Sequence, residues 1–211
     1  MKYFITAICL LLFIANINAQ NRRAIDSLFQ QLQNETSPKK KYDIFIALGG
    51  EHIFTNADSA IFFKLKALEI AKQLKVDSLL ANAYYAIASI EATRNHYEAA
   101  LINCDSAFKY FHLAGNRLAL AMVRNVQGGV SMASGKNDLA SQMYFDAIEY
   151  TKSDTASARI LYTYHNLVIL LNNMDKHSKA LEYAFKQYEW AKRISIPDEV
   201  AYACGNMADT Y

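Results

Sequence analysis

Residues 81–120 read ANAYYAIASIEATRNHYEAALINCDSAFKYFHLAGNRLAL, and their spacing decides the fold. Tyr84, Ile87, Ala88 and Glu91 fall at helical intervals until Asn95-His96 breaks the run. Tyr97, Ala100, Leu101, Cys104, Ala107 and Phe108 then mark one face of a second helix. Two such helices joined by a short turn make an antiparallel hairpin with an apolar side left to cover.

The same hairpin recurs when the chain is shifted by forty positions. The windows 41–80, 81–120, 121–160 and 161–200 carry Ala60, Ala100, Ala140 and Ala180 in their twentieth cell. The twenty-seventh cell holds Ala67, Ala107, Ala147 and Gln187, and the thirtieth holds Ile70, Tyr110, Tyr150 and Trp190. Small residues recur where two backbones approach, and large ones where a gap must be filled. Asn95, Gly135 and Asp175 share the turn between the two helices. Asp58, Glu98 and Asp138 share the first turn of the second helix, where a negative charge meets the positive end of the dipole. Composition agrees. Seven Gly and two Pro in 211 residues are too few turn formers for a sandwich or barrel, whereas 31 Ala favour helix.

These columns resemble the tetratricopeptide repeat (TPR). Tyr84, Ile87, Ala88, Asn95, Tyr97, Ala100 and Ala107 fill its cells in the second window, and Tyr164, Leu167, Val168 and Ala180 in the fourth. A fifth repeat starts at Ala201, and 206–211 read like the family's Asn-Leu-Gly-x-x-Tyr stretch. Arg124, Gln127 and Gln187 depart from the pattern, and Gly49-Gly50 are expected to bend or fray the first helix. The resemblance implies an all-α fold, a right-handed superhelical solenoid of antiparallel helix pairs over 41–211. It also implies a role in binding a protein or peptide segment. In particular, it resembles the N-terminal arrays of exported or membrane-anchored regulators, where a histidine kinase or DNA-binding domain follows.

Lys2, the uncharged apolar run Tyr3–Ala15 and the small residue Ala19 have the layout of a secretory signal over 1–19, cut after Ala19. The run is short of the ~20 residues a membrane span needs, and no later stretch in 20–211 is apolar for long enough. The expected location is periplasmic or secreted, with membrane anchoring only through a part beyond Tyr211. Residues 20–40 are expected to form an N-terminal capping helix, with Ile25, Leu28, Phe29 and Leu32 on one face, followed by a linker. The fifth repeat stops without its second helix, so the chain reads as the start of a longer protein. Cys104 and Cys204 lie in helical patterns a hundred residues apart and are expected to be two small buried thiols.

No metal or cofactor motif stands out. The five histidines include no i, i+4 pair, and no GxSxG, Walker or GxGxxG pattern occurs. No catalytic set can be singled out, so neither enzyme activity nor a cofactor is expected. A net charge of +2 gives no reason to expect nucleic-acid binding. What remains is the wall of first helices that lines the groove in the family. By resemblance this wall holds Tyr42, Phe45, Asn82, Tyr85, Ser89, Met122, Asn125, Met132, Tyr162, His165, Asn172 and Tyr202. Tyr, Asn, Met and His suit an interface that needs large contact area and adaptable hydrogen bonds. The family's Lys-Asn-Arg grip on a terminal carboxylate is not expected. The corresponding cells hold Phe45, Tyr85, Asn125 and His165.

Ala100→Trp is expected to unfold the array, because an indole cannot fit between closely packed helices. An unchanged circular dichroism melt would refute the repeat assignment.

Overall fold

The computed structural model describes residues 21–152, 154 and 157–210. The expected signal over 1–19 lies outside them. All regular structure among the described residues is helical. Helix α1 covers 21–34. It is followed by α2 (Pro38–His52), α3 (Ala57–Leu74), α4 (Asp77–Thr93), α5 (Tyr97–Leu113) and α6 (Arg117–Ala133). Then come α7 (Asn137–Thr151), α8 (Arg159–Asn173), α9 (His177–Arg193) and α10 (Pro197–Ala208).

The sequence writes these boundaries locally. Pro38 and Pro197 open α2 and α10, where a fixed φ and a missing N–H cost nothing. Helix α2 thus takes in the last three residues of the expected linker. The side chains of Asn56 and Asn116 accept from the N–H groups of Ser59 and Ala119 and cap α3 and α6. At the turns, Asn95, Gly135 and Asp175 adopt positive φ, as do Lys75, Gly115 and Ser195 between hairpins. The amides of His96, Lys136 and Lys176 reach back to Glu91, Ser131 and Leu171, closing each first helix with a six-residue backbone loop.

The chain divides into two compact units, one ending at Ala83 and the other starting at Tyr84. In the first, Ile44, Leu48 and Phe63 form a core against which Ile25, Leu28, Leu32 and Phe45 pack. Helix α1 therefore uses its expected apolar face, with Phe29 edge-on to Phe63 at 5.9 Å. Gly49 and Gly50 do not break α2. A Cβ on Gly49 would stand 2.7 Å from Cε of Lys64, so its bareness is what admits that side chain. Lys64 is buried, and its Nζ donates to the carbonyl of Ile46 at 2.6 Å. Burial lowers its pKa to about 8.

In the second unit each helix from α5 to α10 packs on its sequence neighbours. Ala100, Ala107, Ala140, Ala147 and Ala180 are fully buried, as is Gln187. Tyr144 is also fully buried, and Gly128 makes room for it: a Cβ there would meet the ring at 2.5 Å. The departures Arg124 and Gln127 form a polar seam. Gln127 donates to Asp105 and accepts from Arg124, both at 2.9 Å, and the Arg124 guanidinium lies 4.1 Å over the ring of Phe108. Cys104 is buried and its thiol is pushed up to about 12, but Cys204 is exposed. The expectation of two buried thiols therefore holds for one only, because Cys204 falls on the solvent side of α10.

Two measurements follow from this packing. Gly128→Ala is expected to destabilise the protein, the clash costing about 1–3 kcal/mol and outweighing a helix-propensity gain of about 1 kcal/mol. Gly129→Ala, where the Tyr144 hydroxyl is 3.8 Å away, is expected to raise the melting temperature. Lys64 loses its proton at lower pH in the folded than in the unfolded chain. The Lys64 contribution to stability should therefore rise with pH from about 8 towards 10, by up to about 3 kcal/mol, against an opposite contribution from the buried Cys104 thiol. In denaturant titrations Lys64→Met should be the more stable form at pH 7 and lack that rise.

Candidate binding groove

The first helices α6, α8 and α10, with Tyr85 of α4, line three adjoining depressions. One, of about 320 Å³, lies between α6 and α8 and is lined by Tyr85, Met122, Asn125, Arg159, Tyr162 and Asn166, with Ala121 and Thr163. A second, of about 370 Å³, lies between α8 and α10 over α9 and holds Tyr162, His165, Gln187, Glu199 and Tyr202. A third, of about 530 Å³, shares His165 and Tyr202 and adds Asp198, Asn206 and Asp209 with small residues of α10. Tyr162 is common to the first two, and His165 and Tyr202 to the last two, so the depressions adjoin one another along one face.

Amide contacts tie neighbouring first helices together across its floor. Asn166 donates to Asn125 at 3.2 Å, and Asn172 donates to the Thr210 hydroxyl at 3.0 Å. Asn206 donates both to Nδ1 of His165 at 3.0 Å and to Oε1 of Gln187 at 2.6 Å. An amide nitrogen only donates, so Nδ1 of His165 is the acceptor in this contact. Ser89 Oγ donates to the Tyr85 carbonyl. Burial raises the pKa of the Tyr85 hydroxyl, an effect opposed by the Ser89 hydroxyl and the charge of Arg159. Arg159 Nη1 also contacts Sδ of Met122.

The structure brings together Tyr85, Met122, Asn125, Tyr162, His165 and Tyr202 of the expected wall. Ser89 and Asn172 sit beside them, half-buried and engaged as above. Met132 packs against the core cluster around Tyr144 and Leu167 rather than into a depression. In the first unit Asn82 is exposed. Phe45 is stacked on Phe63 at 6.3 Å, in the core of that unit. Tyr42 is a correction. It is 3% exposed and its hydroxyl donates to the carbonyl of Leu79, so it fills a gap and offers no wall. Sequence reasoning missed Arg159, Asn166, Gln187 and Glu199. Gln187 alone had a signal, as the break in a column of buried alanines.

Among the described residues no cluster of His, Cys, Asp and Glu is fit for a metal, and no helix is long and apolar enough to cross a membrane. A further depression of about 830 Å³ lies at α9 with Tyr164, and its Glu182 and Lys186 are paired with each other at 2.5 Å.

Residues 15–106 match the family described as SusR N-terminal TPR domain. No curated protein matches the sequence. Among solved structures, aspartyl phosphate phosphatase F from Bacillus subtilis superposes with a TM-score of 0.81 at 12% identity, over 90% of this chain and 54% of that one. BtubC (BKLC) from P. vanneervenii gives 0.71 at 18% identity, over 92% and 81%. A signal transduction ATPase with a tetratricopeptide repeat sensor, from Pyrococcus horikoshii, gives 0.72 at 17%, over 94% and 31%. The chain thus spans about half of the phosphatase and a third of the ATPase. At these identities the likeness is one of fold: the chain is a TPR-like helical solenoid, and the family model matches less than half of it.

Proposed function

We propose that the chain is a non-catalytic scaffold that binds a protein or peptide segment along the first-helix face of α4 to α10. We also propose that residues 1–19 export it to the periplasm or beyond. The observation carrying the binding role is the row of adjoining depressions. Tyr85, Tyr162 and Tyr202 give it broad apolar faces, and Asn125, Asn166, His165 and Gln187 give it adaptable polar groups. The phosphatase and ATPase activities named above belong to those proteins.

A second reading is the sensory part of a longer membrane-anchored regulator. The matched family is described as an N-terminal domain, and the repeat of the Pyrococcus neighbour is described as a sensor. On this reading an apolar stretch of ~20 residues follows in the gene, then a histidine kinase or DNA-binding domain.

Tyr85→Ala combined with His165→Ala is expected to weaken peptides selected from a displayed random library by tenfold or more (about 1.4 kcal/mol) while the helical circular dichroism is retained, with a lower melting temperature from the lost Asn206 contact. Equal binding by the variant would remove the groove as the site. N-terminal sequencing of the exported protein should begin at Gln20, and an intact Met1 would refute export by cleavage.

A further inference from the structure

We infer that the α8–α10 end of the groove receives a basic side chain, arginine or lysine, of a bound peptide, and that Nε2 of Gln187 donates to a carbonyl of that peptide. The inference rests on the first-helix face being the binding surface. Two independent features of the structure point to it.

The first is a buried donor with no acceptor. Gln187 is fully buried and lines the 370 Å³ depression. Its Oε1 accepts from Asn206, which turns the amide so that Nε2 faces away, and Nε2 has no hydrogen-bond partner. An orphaned buried donor is costly, and a ligand carbonyl would satisfy it. The second is charge. The described lining of this depression and the adjoining one carries Asp198, Glu199 and Asp209 and no lysine or arginine. Tyr162 and Tyr202, 61% and 63% exposed, flank it with the kind of ring face that attracts a cation. A carboxylate beside aromatic faces suits a guanidinium or ammonium, whereas an acidic residue would be repelled. The α6–α8 depression has the opposite sign, with Arg159 and no carboxylate. A peptide lying along the groove therefore has a preferred direction, its basic residue towards α10.

The test is a titration of the full chain with capped tripeptides Ac-Ala-Xaa-Ala-NH2, where Xaa is Arg, Gln or Glu, read on tyrosine ring resonances and by calorimetry. The arginine peptide should bind about tenfold tighter than the glutamine one and the glutamate peptide weakest, and Glu199→Gln should abolish the arginine advantage. Gln187→Met should weaken the arginine and glutamine peptides alike. If that variant melts early, the surface variant Glu199→Gln carries the test alone. Equal affinities, no binding of the arginine peptide, or a preference that survives Glu199→Gln would overturn the inference. So would spermidine, which has no carbonyl, binding as tightly as the arginine peptide. Library peptides that bind the wild type without basic preference and lose binding in the Tyr85 and His165 double variant would overturn this inference alone. Absence of any peptide binding would overturn the groove as well.

Discussion

Close approach between a first and a second helix is the constraint on which the second unit is built. Helix axes come within contact distance only where the side chains between them are small. Buried alanines at Ala100, Ala107, Ala140, Ala147 and Ala180 meet that need. The volume is not fixed cell by cell but across the contact. Where the second helix carries the bulky Tyr144, the facing first helix carries Gly128. Where it carries Ala184, the same core cluster holds Val168. In the second hairpin the cells equivalent to Gly128 and Tyr144 hold Ala88 and Cys104, both fully buried. The first unit shows a variant of the same trade, with Gly49 bare against Lys64. A hairpin therefore tolerates a large residue on one side only if the other side gives way.

This explains which parts of the fold were legible in the sequence. Alanine columns, helical spacing and the turn residues Asn95, Gly135 and Asp175 are local or periodic signals, and the helices stand where those signals put them. Pairwise trades are not local. Gly49-Gly50 reads as a weak point in α2 because propensity counts only the cost of glycine. The compensating partner, Lys64, is supplied by another helix. Lys75 and Ser195 adopt left-handed backbone where glycine would be the economical choice, and nothing in their composition announces it. Cys204 was misplaced for a related reason: helical spacing does not say which side of α10 faces solvent, and Cys204 falls on the exposed one.

The groove was legible to the extent that a column specifies a direction. Met122, Tyr162 and Tyr202 stand forty residues apart, as do Tyr85, Asn125 and His165, and all six reach one surface. Tyr42 occupies the first of these columns too, yet its hydroxyl finds the Leu79 carbonyl and the side chain is swallowed by its own unit. A column gives a direction, and the neighbour decides whether that direction leads to solvent. The amides Asn166 and Asn206 lie one cell further along, and their use as cross-links between helices depends on partners forty-one residues away.

Departures from the repeat divide into those that only repair packing and those that change the surface. Arg124 and Gln127 belong to the first kind, because Asp105 and Phe108 absorb their polarity. Gln187 belongs to the second. An alanine there would pack as Ala147 does, whereas the amide reaches Asn206 and keeps an unpartnered buried donor in a residue that lines the groove. Arg159 and Glu199 make the same point in charge. They occupy equivalent positions forty residues apart, where the earlier repeats place Leu79 and Ala119, both buried. Packing alone accepts an apolar residue at that position, so it does not account for a cation in one repeat and an anion in the next. The two charges line successive depressions of one groove, which makes its two ends chemically unlike. A surface unlike at its two ends discriminates by sequence and by direction, which a uniformly apolar groove of the same shape does not.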